Sequence, residues 1–304
     1  MREKTSMKIR RGFASRFGYG VLIALMLLVC VVIVYPFVNM IAISLSDTSA
    51  VRSGSISVYP QIYTQSGYRF GATFEAYKIV ATNSLVYMGY WNTIKVALIT
   101  CVLSLVLTSF AAYPMAFSNM KFKKLYTQFI VITMWFSAGT VPNYMVIDSL
   151  HLVDTHAALI FCTLLSGYNI IVMRGFFYGI PKSLVESAKI DGANDFQILF
   201  RIIFPVSYPI LSTIALWTIV GQWNQYQNPL LYIESKDKYV LQQVLAGIIR
   251  SADNSDFDIS AGTNLSIEQV RNAAMIFTML PILVLFPFFQ KFLISGAVVG
   301  AVKE

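Results

Sequence analysis

The residues of this 304-residue chain whose types and spacing most suggest working machinery are Glu186-Ser187-Ala188, followed by Gly192, Ile202 and Pro205, in a short polar stretch between two long apolar runs. The pattern is that of a docking element for another protein, not of a catalytic site. Pro181-Lys182-Ser183 opens a helix, with Ser183 the expected N-cap and Glu186 completing a Ser-x-x-Glu capping box. Gly192 permits a left-handed turn or a close backbone approach. A second short helix is expected over about 194 to 203, stopped by Pro205. Ala188, Ile190 and Ala193 supply small or apolar surface, so this helix, turn, helix element is expected to seat closely in a partner's groove.

Other reactive side chains are sparse. His151 and His156 stand near Asp148 and Asp154, but no pre-organising metal motif surrounds them, and they read as residues of a solvated loop. Cys30, Cys101 and Cys162 fall inside apolar runs and read as packing residues rather than as disulfide or metal partners. A Gly-x4-Gly-Lys-Ser/Thr phosphate loop is absent, so the chain cannot hydrolyse ATP by that route. No catalytic residue, metal site or bound cofactor is assigned.

The elements that must position the docking loop follow from composition. With 56% hydrophobic and 12% charged residues, the chain is too apolar for an ordinary soluble domain and belongs in a bilayer. Six stretches lack Asp, Glu, Lys and Arg: 17 to 46, 96 to 120, 125 to 147, 155 to 173, 202 to 233 and 272 to 290. Each can hold the roughly 20 residues a helix needs to cross about 30 Å of hydrocarbon. An all-α integral membrane protein with six transmembrane helices is expected, at about 19 to 44, 90 to 114, 125 to 147, 156 to 177, 208 to 227 and 273 to 292. The first run is too long for a signal-peptide core and is kept as a helix. No strands are expected to span the membrane.

Orientation follows from Lys and Arg. With the N-terminus in the cytoplasm, the inside segments hold most of the 23 cations, among them Arg10, Arg11, Lys121, Lys123, Lys124, Arg174, Lys182, Lys189 and Arg201. Both termini are then cytoplasmic, and the net charge of +8 reflects topology rather than a nucleic-acid partner. The expected organisation is one transmembrane domain over 1–304, with a cytoplasmic segment 1–18, a cytoplasmic loop 178–209 between helices four and five, and external segments 45–89 and 228–272. The external segments are candidate contact surfaces for an external partner. No span carries an ionisable group near its midplane, which disfavours ion coupling. If transport is active, its energy must arrive from another polypeptide.

The loop resembles the signature of the permease subunits of binding-protein-dependent ABC importers, Glu-Ala-Ala-x3-Gly-x9-Ile-x-Leu-Pro. Here Glu186-Ser187-Ala188-x3-Gly192-x9-Ile202-x-Phe204-Pro205 matches in spacing and departs at Ser187 and Phe204. Asp191-Gly192-Ala193, Gln222-Trp223-Asn224-x-Tyr226-x-x-Pro229 and the tail from Gly296 to Glu304 are similar to the carbohydrate-importing branch, in particular to the maltose permease G subunit and to polysaccharide-type permeases. The resemblance implies a second homologous permease subunit, two cytoplasmic ATPase subunits that carry the ATP and Mg, and an extracytoplasmic sugar-binding protein. It implies that Glu186, Ser187, Ala188, Asp191, Gly192, Ala193 and Pro205 serve ATPase coupling and that Gly300, Ala301, Val302 and Lys303 reach the ATPases. Gln222, Trp223, Asn224, Tyr226 and Gln227 are candidates for a sugar path, weighed against an interfacial aromatic belt with helix-helix hydrogen bonds. The rival readings are an importer permease for peptides or amino acids and an ion-coupled sugar carrier.

Overall fold

The computed structural model describes residues 13–56, 58–118, 120–250, 257 and 264–301. The chain is mostly helical and divides into two compact units, Met1–Ile79 with Ser260–Ile276, and Val80–Ile259 with Phe277–Glu304.

In the first unit, α1 (Phe13–Leu45) has a span-length part, Gly18–Leu45, whose most apolar stretch buries nothing against the protein, as a lipid-facing helix requires. Asp47 caps α2 (Thr48–Arg52) by accepting the Thr48 N–H at 2.9 Å. Then β1 (Gln61–Thr64) and β2 (Gly67–Phe70) pair antiparallel, Thr64 opposite Gly67, and α3 (Glu75–Thr82) follows. This hairpin departs from the all-α expectation: it lies in the segment 45–89, and Tyr63 meets Tyr68 across the strands at 5.3 Å. The unit is tied by Gln269, fully buried, whose amide donates to the Ser46 carbonyl and whose oxygen accepts from Thr48 Oγ1 at 2.8 Å.

The second unit is organised by α4 (Ser84–Phe117), capped by Asn83. In chain order come α5 (Lys123–Trp135), α6 (Thr140–Ser149), α7 (His156–Thr163), α8 (Gly167–Tyr178), α9 (Lys182–Ile190) and α10 (Asp195–Ile198). A π-helical turn at Leu199–Ile203 leads into α11 (Phe204–Val206), then α12 (Tyr208–Trp223), α13 (Gln227–Tyr232), a 3-10 turn at Lys236–Lys238 and α14 (Leu241–Arg250). The closing helix, α15 (Ile267–Ala301), contains Pro281 and Pro287. Helices α8, α12 and α14 pack on α4. Its Ala97, Cys101, Ser104, Thr108 and Ala112 are all buried, and their small size lets neighbouring backbones come close.

Among the described residues three helices are long and apolar enough to cross a membrane, Gly18–Leu45, Ser84–Phe117 and Ile267–Pro287, and three bent pairs, each counted as one span, bring the candidate spans to as many as six. The expected spans 125 to 147 and 156 to 177 are therefore not single straight helices. The first breaks by 111° between Trp135 and Thr140, where Phe136 is extended and Gly139 takes φ 87°, open to glycine alone without strain. The second breaks by 51° at Ser166, whose hydroxyl caps α8 by accepting the Asn169 N–H. The expected span 208 to 227 ends at Trp223, and Gln227 opens a new helix.

Loop ends in this unit are fastened by Asp154. Its carboxylate accepts the Ser235 N–H at 3.0 Å, the Glu234 N–H at 3.1 Å, the Ser235 hydroxyl and the Lys238 ammonium at 2.7 Å. His156 Nε2 pairs with the Lys238 carbonyl at 2.9 Å, so both residues are engaged by the 234–238 segment. The Lys238 ammonium, then the Ser235 hydroxyl and N–H, hold the Asp154 carboxyl well below the usual carboxylate range, and the same contact raises the Lys238 pKa. The depressed carboxyl contributes stability that is full above about pH 4 and lost as pH falls through its native value. Raised Lys238 contributes fully below about pH 10 and loses it as pH rises. Asp154→Asn is expected to lower the thermal midpoint by the same amount from about pH 5 to about pH 9, the gap closing only in strong acid. Paired melts across pH check this, and a gap that changes near neutrality contradicts it.

Candidate functional site

The docking element is built on α9. Pro181 stands before the first turn with φ −57°, and the Leu184 N–H bonds its carbonyl at 3.2 Å. The helix therefore starts at Lys182, one residue before the expected N-cap. Ser183 lies inside the first turn, and no side chain caps this end. The Ser183-x-x-Glu186 capping box is thus not formed.

The C-terminus ends as the sequence requires. Gly192 adopts φ 81°, its N–H bonds the Lys189 carbonyl at 3.1 Å, and the Ala193 N–H returns to the Ala188 carbonyl at 3.0 Å. These two bonds make a Schellman motif. A Cβ at Gly192 would meet nothing within 4 Å, so glycine is required here by backbone conformation and not by space within the chain.

The capping box that does form is on the second arm. The Asn194 side chain accepts the Gln197 N–H at 2.9 Å, and the Gln197 side chain accepts the Asn194 N–H at 3.0 Å. Asn194-x-x-Gln197 carries the sequence signature of such a box. Pro205 does not stop this arm. The preceding π-helical turn, closed by the Phe204 N–H on the Leu199 carbonyl, brings the chain to Pro205 in helical conformation. Pro205 then follows in α11, directly after that turn. The stop comes at Ser207, where the direction changes by 85° into α12.

One face of the element is inside and the other outside. Val185 and Ala188 are buried in a core with Tyr113, Met173, Phe177, Ile198, Ile203 and Ile214. Ala188 therefore supports the helix from beneath rather than meeting a partner, and Ala193 is half-buried beside it. Glu186, Ser187, Asp191, Gly192 and Pro205 are exposed. Ile190 is 86% exposed, an apolar side chain displayed at the turn. Asp195 accepts the Tyr113 hydroxyl at 3.0 Å and the Lys189 ammonium at 3.4 Å, which ties the second arm to α4. Phe204 meets Phe200 at 4.9 Å, and Phe200 meets Phe110 at 6.0 Å. The aromatic in place of the motif's leucine thus continues a ring ladder down to α4.

The residues 222 to 227 divide. Gln222 and Trp223 are buried: the Gln222 amide donates to Thr163 Oγ1, and the Trp223 indole donates to the Thr278 carbonyl at 3.3 Å and meets the Tyr90 ring at 5.8 Å. Among the described residues the Gln222 side-chain oxygen has no hydrogen-bond partner. Asn224, Tyr226 and Gln227 are exposed, Tyr226 accepting from Arg250 at 2.7 Å. The structure does not bring the five into one cluster. Gly300 and Ala301 end α15, and Val302 and Lys303 lie outside the described residues.

Residues 86–299 match the family model described as the binding-protein-dependent transport system inner membrane component. The chain belongs to this family. As an inner membrane transport component it is similar to the polygalacturonan/rhamnogalacturonan transport system permease protein YtcP of Bacillus subtilis, with 32% identity over 94% of this chain and 96% of that protein. It is also similar to the maltodextrin transport system permease protein MalD of Streptococcus pneumoniae, with 28% identity over 98% of this chain and 99% of MalD. Among solved structures, a chain of a bacterial ABC transporter involved in import of the acidic polysaccharide alginate matches with TM-score 0.83 and 27% identity, over 92% of this chain and 98% of that one. This permease therefore has the ABC permease fold and is embedded in a membrane.

The inward placement of Ala188 has a direct consequence. Ala188→Leu is expected to overpack the core and cost about 1 to 3 kcal/mol of stability, while Ser187→Leu leaves stability unchanged. Thermal unfolding of the permease in detergent compares the two. Equal midpoints would show that Ala188 is not held against the helices.

Proposed function

We propose that this permease is the membrane-spanning subunit of an ATP-driven importer of oligosaccharides, and that Lys182 to Val206 couples it to a separate ATPase. The observation that carries this reading is the two-sided α9 and its glycine turn: one face packed on the core of α4, α8 and α12, the other displaying Glu186, Ser187, Ile190, Asp191 and Gly192. Such a rider, buried beneath and bare above, transmits force from a partner to the helices under it. Ile190 would enter an apolar pocket, and Glu186 and Asp191 would take polar or cationic partners at the rim.

The proposed assembly contains a second homologous permease, two cytoplasmic ATPase subunits holding ATP and Mg, and an extracytoplasmic sugar-binding protein. The whole chain, 1–304, acts as one transmembrane domain. Segments 1–18 and 178–209 face the cytoplasm and 228–272 faces outward, as the Lys and Arg distribution favours. Gly300 to Lys303 are proposed to reach the ATPases. Asn224, Tyr226 and Gln227 are proposed to meet sugar at the outer end of α12, with buried Gln222 and Trp223 setting the position of that end. The named sugar polymers of the similar permeases, polygalacturonan and maltodextrin, support an oligosaccharide substrate.

Two measurements test this. ATP hydrolysis by the complex in lipid, with its binding protein, should be stimulated by one class in a panel of neutral and uronic oligosaccharides; stimulation by peptides or amino acids alone would overturn the sugar reading. Gly192→Arg should abolish that stimulation, because it strains the turn at φ 81° and adds a long side chain to an exposed surface where a Cβ alone meets nothing within 4 Å; co-purification of the subunits checks that the complex still assembles. Gly192→Asn, which tolerates the left-handed backbone, should retain most of it. Normal stimulation by the arginine variant would sink the coupling role.

A further inference from the structure

Helix α14 forms one wall of a cavity of about 330 Å³. Gln243, Gly247 and Arg250 line it from that helix, together with Tyr239 and Phe257. Positions 243, 247 and 250 fall on one stripe of the helix, so a carboxamide and a guanidinium border the same space.

Each wall of this cavity has a distinct chemistry. Arg250 donates from Nη2 to the Tyr226 hydroxyl at 2.7 Å, and its Cζ lies 5.9 Å from the centre of that ring. This contact orients the guanidinium and uses one of its five N–H donors. Among the described residues no carboxylate lies in ion-pair distance of it. Gln243 is 6% exposed. Its amide donates to the Ile233 carbonyl at 3.0 Å, whereas its side-chain oxygen has no partner among the described residues. A buried acceptor without a donor costs free energy that an incoming hydroxyl would recover. The Tyr239 and Phe257 rings stack at 5.9 Å and 14°. Phe257 lies directly over Gly247, where a Cβ would collide with the ring, so glycine keeps this aromatic wall close to the helix.

A complementary molecule therefore needs an anionic group for Arg250, a hydroxyl donor for Gln243 and a C–H face for the rings. A phosphate satisfies the cation but brings only acceptors to the glutamine oxygen, and a neutral sugar leaves the guanidinium without a counter-charge. A sugar acid meets all three demands. Its planar carboxylate suits the guanidinium fork, and its ring C–H groups pack on aromatic faces. We propose that this cavity is a subsite for one uronic acid unit of an oligosaccharide. It rests on the sugar reading given under the proposed function and on the outward placement of 228–272, which sets the cavity where a delivered sugar arrives.

The test is binding of trigalacturonate and trimannuronate, each beside its carboxyl-reduced neutral form, to the whole permease–ATPase complex in nanodiscs without binding protein, read by saturation-transfer-difference NMR. The wild type should bind at least one acid about tenfold or more tightly than its reduced form. Arg250→Gln, at an exposed position, should abolish that preference, and Arg250→Lys should keep part of it. Gln243→Leu should weaken acid and reduced form alike, because the hydroxyl contact is common to both. An absence of preference for either acid in the wild type, or an unchanged preference in Arg250→Gln, overturns the subsite. Loss of binding-protein docking in Arg250→Gln with acid affinity unchanged also overturns it, in favour of a protein contact. ATP hydrolysis stimulated by neutral oligosaccharides, with no acid preferred in the binding measurement, removes the subsite and leaves sugar import standing. Stimulation by no sugar at all removes both.

Discussion

Everything in this chain depends on the cost of an unpaired peptide group in hydrocarbon, several kcal/mol for each one left without a partner. Helix is the local answer, and it accounts for the long runs from Phe13 to Leu45 and from Ser84 to Phe117. Where helix fails, a side chain or a neighbouring carbonyl has to take over. Ser166 does so at the start of α8, and the paired turn bonds around Gly192 do so at the end of α9. Packing is then left to shape, because lipid offers apolar side chains as good a home as the protein does. The small buried face of α4 is the result, and the helices that flank it meet there.

The membrane class and the position of the six apolar stretches were legible in the sequence because hydropathy measures partition. It does not measure direction, and this is why two of the breaks escaped notice. Phe136-Ser137-Ala138-Gly139 stays apolar or small through a 111° change of course, and Leu164-Leu165-Ser166 interrupts an apolar run with a single hydroxyl. The hairpin at 61–70 escaped for a different reason. Beside the local contact of Tyr63 with Tyr68, its first strand is tied to the end of α1, well before it in the chain: the Gln61 N–H donates to Ser46 Oγ at 2.9 Å and the Gln61 carbonyl accepts the Asp47 N–H at 2.8 Å.

Within the loop, identity was legible and facing was not. The spacing of Glu186, Gly192 and Pro205 marked a docking element, and the positive φ of Gly192 follows from its place one residue past the C-cap of α9, Asp191. Each arm opens on a capping-box pattern, Ser183 with Glu186 and Asn194 with Gln197, and only the second forms. Pro181 decided the matter by starting α9 early. Ala188 was grouped with its exposed neighbours by the motif, although Val185 and Ala188, three apart, already shared a helical stripe pointing inward. Gln222 and Trp223 were read beside Asn224, Tyr226 and Gln227 because they adjoin in sequence, while the end of α12 falls between them.

Helix α4 is anchored near both of its ends. Asn92 donates to the carbonyls of Asp237 and Tyr239, and Thr93 accepts the Leu241 N–H at 2.8 Å. Some 20 residues on, roughly 30 Å along the axis at 1.5 Å per residue, Tyr113 holds Asp195. A helix of that length does not compress. It behaves as a connecting rod, so a tilt imposed at the Asp195 end arrives at the segment 237–241 as an opposite swing of comparable size, with no wave of local rearrangement needed along the way.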